Sequence, residues 1–214
     1  MKILTVNPEK LRESQEALEE AANILWRSGI VVIPTDTVYG LAVDATKEYA
    51  VKKLFKLKKR PETKPIPIIA RDMEMVRKLA WFDKKVERTL DLVWPGPVTV
   101  LLNKKYNLPN LITAGRSTIG IRIPDYKLIT YLIELYGRPI TATSANISGQ
   151  SPSTKLSDVL VQFENEIMKP ELVLDAGDLK YSEPSTVLDL ISKQPKIVRI
   201  GPVNKKKLLE ILSI

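Results

Sequence analysis

The sequence contains no cysteine and no histidine among its 214 residues. Without them the chain cannot form disulfides, zinc sites built from these ligands, thiolate nucleophiles or serine–histidine triads. It also lacks the side chain whose ordinary pKa lies near neutrality. Any catalysis must therefore use lysine, arginine, carboxylates, hydroxyls, backbone N–H groups or a hard metal ion. These groups suit phosphate chemistry, in which positioning and electrostatic stabilisation do most of the work.

Long hydrophobic runs are missing as well. No apolar stretch approaches the roughly 20 residues that a membrane-spanning helix needs. Residues 1–6 show no apolar core followed by a small-residue cleavage site, so they do not form a secretory signal. Hydrophobic residues make up 44% of the chain and charged residues 27%, which is ordinary for a globular protein. We therefore expect a cytoplasmic protein that makes no membrane contact.

Acidic residues are in the minority, because 33 basic residues face 25 acidic ones and the net charge is +8. Two interpretations of this excess remain open. A lysine-rich surface would serve solubility, whereas a basic cleft would bind an anionic ligand or a nucleic acid. Aromatic residues are only 6% of the chain, without a cluster that would stack bases.

Helical and strand-like patterns alternate along almost the whole chain. Predicted helices cover about residues 8–27, a segment around 51–55 that ends before 61, and residues 84–93, 125–136, 156–167 and 204–213. Predicted strands cover residues 30–33, 66–70, 98–102, 119–123, 140–143, 172–174, 186–191 and 196–200. Asp125 is a possible helix cap, and Pro67 would suit an edge strand or a bulge. We predict one α/β domain over residues 1–214, with a twisted, mixed parallel and antiparallel sheet flanked by helices.

Residues 33–41 read Ile-Pro-Thr-Asp-Thr-Val-Tyr-Gly-Leu. A β-branched run ends at Pro34 and gives way to hydroxyls, a carboxylate, a tyrosine and a glycine. Small polar residues that follow a buried strand lie at the edge of the sheet, where open α/β sheets bind ligands. This stretch is therefore the first candidate for a binding site.

Six basic side chains fall within the nine residues 52–60. Such a run is usually a solvated helix face. Pro61, however, disfavours helical geometry at Arg60. Lys58 and Arg60 would then project together from the helix end as a phosphate clamp. Spacing alone leaves both interpretations open.

Polar groups also follow or interrupt later strands. Ser144 and Asn146 are two residues apart after a predicted strand, so in extended backbone their side chains would converge, although a self-satisfied turn is the alternative. Arg122 lies within an apolar strand pattern and needs an anionic partner, which would be a ligand or a core carboxylate. Residues 113–122 have the glycine spacing of a P-loop but lack its Lys-Ser/Thr. Ser185 begins one strand and Arg199 ends another, and each is weak evidence alone.

Taken in order, these phrases resemble the YrdC/TsaC-type family, the threonylcarbamoyl-AMP synthases. The resemblance extends from about Ile30 to Pro202. It is carried by residues 34–41, Lys58 with Arg60, Trp94-Pro95-Gly96-Pro97, Arg122-Ile123-Pro124, Ser144-Ala145-Asn146 with Ser148-Gly149, Ser185-Thr186 with Asp189, and Arg199 with Gly201. A related branch, the YciO-like proteins, has a similar fold but departs at the quartet of Lys58, Arg60, Ser144 and Asn146.

The resemblance implies a YrdC-like sheet folded around a large basic cavity. It also implies the synthesis of threonylcarbamoyl-AMP and pyrophosphate from L-threonine, bicarbonate and ATP, after which partner proteins of a transferase complex modify a tRNA adenosine. Lys58 and Arg60 would be catalytic. ATP would be bound by Lys58, Arg60, Ser144, Asn146, Ser153 and Arg199, and threonine by Thr35, Thr113, Arg122 and Ser185. Mg²⁺ is expected with ATP, and no metal site formed by the protein is expected.

Two departures from longer family members stand out. Those members carry a further C-terminal domain, whereas this chain ends at Ile214, and they tend to have a histidine where Ile69 and Ala70 stand here. Short members do without both. The alternative function is a non-catalytic protein of the same fold that binds tRNA or double-stranded RNA. A third interpretation, an accessory related to hydrogenase-maturation proteins, lacks their zinc-finger and acylphosphatase-like regions here.

Overall fold

The computed structural model describes residues 1–105, 108–180, 182–192 and 194–212. Helices and strands alternate along these residues. The strands are β1 (Lys2–Thr5), β2 (Val31–Ile33), β3 (Gly40–Ala42), β4 (Ile68–Ile69), β5 (Ala80–Trp81), β6 (Val98–Lys104), β7 (Thr118–Arg122), β8 (Ile140–Thr141), β9 (Thr143–Ser144), β10 (Leu172–Asp175), β11 (Thr186–Asp189) and β12 (Lys196–Arg199). The helices are α1 (Gln15–Trp26), α2 (Glu48–Leu57), α3 (Met73–Leu79), α4 (Lys84–Val93), α5 (Lys127–Tyr136), α6 (Leu156–Glu164) and α7 (Lys205–Leu212).

The strands form two sheets with mixed pairing. The first sheet has the order β1-β10-β2-β3-β9, in which β1, β10 and β2 are parallel and the last two pairings are antiparallel. The second sheet has the order β12-β11-β6-β7-β4-β8, with β5 paired beside β6. Its β11–β6 and β4–β7 pairs are parallel, and its other pairs are antiparallel. The predicted mixed α/β fold is confirmed, although its strands divide between two sheets, and the single-domain organisation stays a prediction.

Strand β2 shows why the chain buries a continuous apolar run. Val31 and Ile33 pack with α1 and α5 on one side of the first sheet, whereas Val32 faces the larger core. That larger core also contains Val100 and Ile121 of the second sheet. Because alternate side chains point to opposite faces and both faces are covered, every residue of the strand is apolar.

The stretch predicted as one strand over residues 140–143 divides at Ala142. Strand β8 pairs with β4 in the second sheet, and β9 pairs with β3 in the first. The Ala142 N–H donates to the carbonyl of Pro67 at 2.7 Å between the two pairings. The chain therefore passes from one sheet to the other here and delivers Ser144 to the place where the sheets meet.

Helix α2 ends in a turn that separates Lys58 from Arg60. The Arg60 N–H donates to Phe55 O at 3.0 Å, and the Lys59 N–H donates to Lys56 O at 3.1 Å. This pair of bonds is the Schellman motif, and it places Lys59 in the left-handed region with φ of +50°. Lys58 is consequently carried into the interior, where its side chain is 1% exposed.

Several predicted boundaries were wrong. The first helix begins at Gln15 because residues 11–14 form a 3₁₀ turn, in which the buried Ser14 hydroxyl bonds the backbone of Asn7. Strand β4 lies between β7 and β8 and is therefore not an edge strand. Pro67 does not prevent this, because it lies just before the two paired residues and no hydrogen bond of the ladder is lost. Asp125 does not cap α5, and the predicted fifth helix ends at Glu164, which leaves Ile167 exposed.

Other differences concern missed or shortened elements. Strands β1, β3 and β5 and helix α3 were not predicted from the sequence. The last strands end at Asp189 and Arg199, one or two residues early. Residue 213 of the last predicted helix lies outside the described residues. None of the helices in the described part of the chain has the length and hydrophobicity that crossing a bilayer requires.

We expect Lys59→Gly to raise the free energy of unfolding by about 0.5–1 kcal/mol. A residue with a Cβ costs roughly 1–2 kcal/mol in the left-handed region, and glycine avoids this cost. The larger backbone entropy that glycine loses on folding offsets part of the gain. Urea unfolding would measure the change. Glu166→Gln is the matched control, because it removes only the exposed ion pair of Lys59, which is worth little. Equal or lower stability of Lys59→Gly would contradict the expectation.

Candidate active site

An open cavity lies where the two sheets meet. Its wall contains the turn after β2, the crossing from β8 to β9, and the neighbouring ends of β11 and β12. The charged side chains that line it are Arg60, Arg122 and Arg199, and no carboxylate is among the described lining residues. Three cations that are far apart in sequence therefore surround one hollow, which favours an anionic ligand.

Arg122 is held on three sides at the end of β7. Its Nε donates to Gly96 O at 2.9 Å, its Nη1 donates to Thr37 Oγ1 at 3.1 Å, and its Nη2 pairs with Asp36 Oδ1. Burial lowers the pKa of Arg122, and the Asp36 carboxylate opposes that shift. Because a guanidinium has five N–H groups, these three contacts leave two of them unpaired, and the Nη2 atom that carries one of the two is buried.

The hydroxyls behind Arg122 form a chain with a defined direction. Thr35 Oγ1 donates to Val38 O at 2.8 Å, so its only proton is used. Thr37 must then donate to Thr35 across the 3.0 Å between their hydroxyl oxygens, while it accepts from Arg122. Thr35 also accepts the Thr37 N–H. Thr35 thus fixes the turn and orients Thr37, and its hydroxyl has no hydrogen left to donate to a ligand.

Arg60 projects from the turn after α2. Its Nε and Nη2 donate to the carbonyls of Lys64 and Pro65 at 3.1 and 2.9 Å. Partial burial lowers its pKa. These two bonds fix the plane of the guanidinium and leave its remaining N–H groups available to the cavity.

Arg199 and Ser185 lie together on the opposite wall. Arg199 donates twice to the Ser185 carbonyl, at 2.6 Å from Nη2 and 3.1 Å from Nε, and the Ser185 hydroxyl bonds Thr99 at 2.8 Å. Gly201 presses against this loop, since a Cβ there would lie 2.3 Å from Pro184 O. Only glycine therefore permits the close approach that places the loop against β12.

Lys58 and Asn146 bond each other instead of lining the cavity. The Lys58 ammonium donates to Ser144 O at 2.6 Å, Asn146 O at 2.7 Å and Asn146 Oδ1 at 3.1 Å. The Lys58 carbonyl accepts the Ser148 N–H at 2.8 Å. Asn146 Nδ2 donates to the carbonyls of Ile147 and Gln150. Hydrogen bonds from Lys58 thereby hold segment 144–148 in place and position Ser144, which does line the cavity.

Comparison with known proteins identifies the family of this chain. A sequence model of the Sua5/YciO/YrdC family, described as "Telomere recombination", matches residues 23–201. The chain belongs to the Sua5/YciO/YrdC family. A Methanocaldococcus jannaschii relative is 34% identical over 209 residues, which cover 97% of this chain and 95% of the relative.

Two further comparisons, one of sequence and one of structure, are with proteins of Pyrococcus abyssi. The protein named threonylcarbamoyl-AMP synthase from that organism is 35% identical over 205 residues, and the match covers 93% of this chain but only 59% of that protein. The solved structure of P. abyssi Sua5 complexed with L-threonine has a TM-score of 0.89 and 33% identity, covering 99% of this chain and 61% of that one. The Sua5-like fold therefore extends over nearly all of this chain.

The cavity collects most, but not all, of the predicted site residues. Thr35, Arg60, Arg122, Ser144, Ser185 and Arg199 line it, and Lys58 and Asn146 support its wall. Thr113 lies elsewhere, fully buried, with its hydroxyl between Lys104 Nζ and Asn110 O. The Ser153 hydroxyl bonds Asp158 and the Lys155 N–H at the start of α6. The ligand roles of Thr113 and Ser153 stay predictions that the geometry does not support.

Sequence reasoning missed two side chains and one carbonyl of the site. Thr37 and Asp36 contact Arg122 directly, and Gly96 O holds its Nε. Thr37 and Asp36 both stand in the stretch 33–41 that the sequence marks as a candidate binding site, which was the usable signal. The Gly96 contact depends on tertiary packing, which local sequence does not reveal.

The pKa of Lys58 predicts a pH dependence of stability. Burial lowers this pKa to about 7, and the charge of Arg60 adds to the shift, although the three acceptor oxygens favour the charged form. The unfolded lysine keeps its proton up to its ordinary pKa of about 10.4. Between these values the unfolded chain binds more protons, so stability rises with pH.

We therefore expect the unfolding free energy of the wild type to rise relative to that of Lys58→Met between pH 7 and pH 9. Urea unfolding at several pH values would measure the difference, in which titrations common to both proteins cancel. Lys56→Met, on the exposed face of α2, is the control and should follow the wild type. Parallel curves for the wild type and Lys58→Met would show that Lys58 keeps its proton throughout.

Proposed function

We propose that the chain is an L-threonylcarbamoyladenylate synthase, which forms threonylcarbamoyl-AMP and pyrophosphate from L-threonine, bicarbonate and ATP. The observation that carries the proposal is the convergence of Arg60, Arg122 and Arg199 on one cavity with Ser144 and Ser185. The reactants of the proposed reaction all carry a negatively charged group, because ATP is a polyphosphate, threonine has a carboxylate and bicarbonate is an anion. The threonylcarbamoyl-AMP synthase at 35% identity supports the same function.

The arginines suggest how the cavity divides its ligands. Arg60 and Arg199 are fixed by neutral carbonyls, so their charges remain available for ATP phosphates. Arg122 lines the cavity, and we assign the threonine carboxylate to it because a planar guanidinium suits a carboxylate. Ser185 lies beside Arg199 and would bond either ligand at their junction.

The reaction joins a carbamate oxygen to the α-phosphorus of ATP and releases pyrophosphate. Negative charge builds on the phosphoryl oxygens as the new bond forms and the old one breaks. Arg60 and Arg199, held in place before the ligand arrives, would stabilise that charge without reorganisation. Confinement of both substrates in one cavity would supply the required alignment.

Lys58 takes a positioning role in this proposal. Its three N–H groups are all directed at segment 144–148, so it acts on the ligand through Ser144. A direct contact between Lys58 and phosphate would require it to release at least one of these oxygens. Lys58, which the sequence analysis assigned as catalytic, is therefore proposed to hold the backbone beside the reacting groups.

Mg²⁺ would arrive with ATP rather than reside in the protein. Mg²⁺ prefers oxygen ligands, above all carboxylates and phosphates. The described lining residues include no carboxylate, and no cluster of three acidic side chains occurs among the described residues. The donor set therefore does not fit a resident ion, and the phosphates themselves would hold the metal. Transfer to tRNA by partner proteins is a further proposal that rests on the family resemblance, and direct tRNA contact is one that rests on the net charge of +8.

Pyrophosphate release tests the proposed function. The wild type should release pyrophosphate only when ATP, L-threonine and bicarbonate are all present. Arg60→Gln should lower the rate by about 10²-fold, as expected for the loss of one electrostatic contact, whereas Arg116→Gln should not, because Arg116 is exposed and outside the cavity. Release that is independent of threonine, or absent with all three substrates, would contradict the proposal.

A further inference from the structure

The three cavity arginines differ in one respect. Arg122 is paired with the carboxylate of Asp36. Arg60 and Arg199 donate only to carbonyls and a serine hydroxyl, and neither has a carboxylate within ion-pair distance in the described ranges. The cavity thus contains two uncompensated charges and one neutralised charge.

The pairing of Arg122 with Asp36 is fixed by the surrounding structure. Arg122 and Asp36 have side chains that are 6% and 13% exposed. The second oxygen of Asp36 accepts the Asp125 N–H at 3.3 Å. Asp36 Oδ1 and Arg122 Nη2 are both buried, and among the described residues their ion pair is the only polar contact that either atom makes. Because water screens a buried pair poorly, the carboxylate cancels much of the field of the guanidinium.

We infer that Asp36 is the specificity-determining residue of the cavity, which keeps phosphate away from Arg122 by neutralising it. Phosphate carries net negative charge and is drawn to the uncompensated Arg60 and Arg199. An amino acid zwitterion has no net charge, so it needs directional N–H donors more than positive potential. The fork of Arg122, aimed by Asp36 and Thr37, supplies those donors.

The identity of the two ligands rests on the proposed function. The claim that Asp36 keeps phosphate away from Arg122 does not rest on it. Inorganic phosphate can probe it without turnover, threonine or ATP. The test therefore separates a failure of this inference from a failure of the proposed reaction. Phosphate binding that behaves as described below, together with absent pyrophosphate release, would retain the role of Asp36 and reject the synthase.

Asp36→Asn keeps the shape of the side chain and removes its charge. Calorimetric titration should show that this variant binds inorganic phosphate about 10-fold more tightly than the wild type, because Arg122 becomes a third attractive cation. The double variant Asp36→Asn with Arg122→Gln should return to the wild-type affinity. Unchanged affinity in a folded Asp36→Asn protein would overturn the inference.

A second comparison removes both charges of the pair together and decides the question if Asp36→Asn alone does not fold. The double variant Asp36→Asn with Arg122→Gln should leave the affinity for inorganic phosphate within about 2-fold of the wild type, since it replaces a neutral ion pair with two neutral side chains. Arg60→Gln and Arg199→Gln should each weaken phosphate binding by about 10-fold. A loss in the double variant as large as in the other two would show that phosphate uses Arg122 despite its pairing and would overturn the inference.

Discussion

The passage of the chain between the two sheets at Ala142 is the constraint on which the cavity depends. Strands β8 and β9 are only two residues each, yet they pair in different sheets. Their position brings Ser144 from the first sheet against the turn after α2, which carries Lys58 and Arg60. A single continuous strand over residues 140–143 would keep these groups in one sheet and away from each other.

Lys58 holds this junction together. Burying an ammonium is costly unless its donors are satisfied, and here three oxygens of segment 144–146 satisfy them. The same side chain therefore stabilises the crossing and fixes the wall of the cavity. A lysine that looks catalytic in the sequence can thus act through the backbone that it organises, and in the proposed function the arginines of the cavity contact the ligand.

Sequence patterns predicted much of this arrangement, for identifiable reasons. The buried run of β2 and the amphipathic α1, α2 and α4 carry strong local signals, and the resemblance placed Arg60, Arg122, Ser144, Ser185 and Arg199 in one site. The crossing at Ala142 carries no local signal, because both halves are extended and the run of residues 140–143 is rich in β-branched residues, which favour one continuous strand. Asp36 and Thr37 belong to the stretch marked as the first candidate site but received no role of their own, since their importance depends on the approach of Arg122, 85 and more positions away. Thr113 was assigned to the site from the resemblance, whereas its hydroxyl bonds Lys104 and Asn110 away from the cavity, so its ligand role stays a prediction.

In the arrangement that we propose, one cavity holds phosphate at Arg60 and Arg199 and a carboxylate at Arg122, which Asp36 neutralises. A crystal structure of the protein with L-threonine and a non-hydrolysable ATP analogue tests it most directly. We predict phosphate oxygens within hydrogen-bond distance of Arg60 and Arg199, and the threonine carboxylate on Arg122 with the Asp36 contact intact. Phosphate oxygens on Arg122, or the two ligands on separate surfaces, would contradict the account.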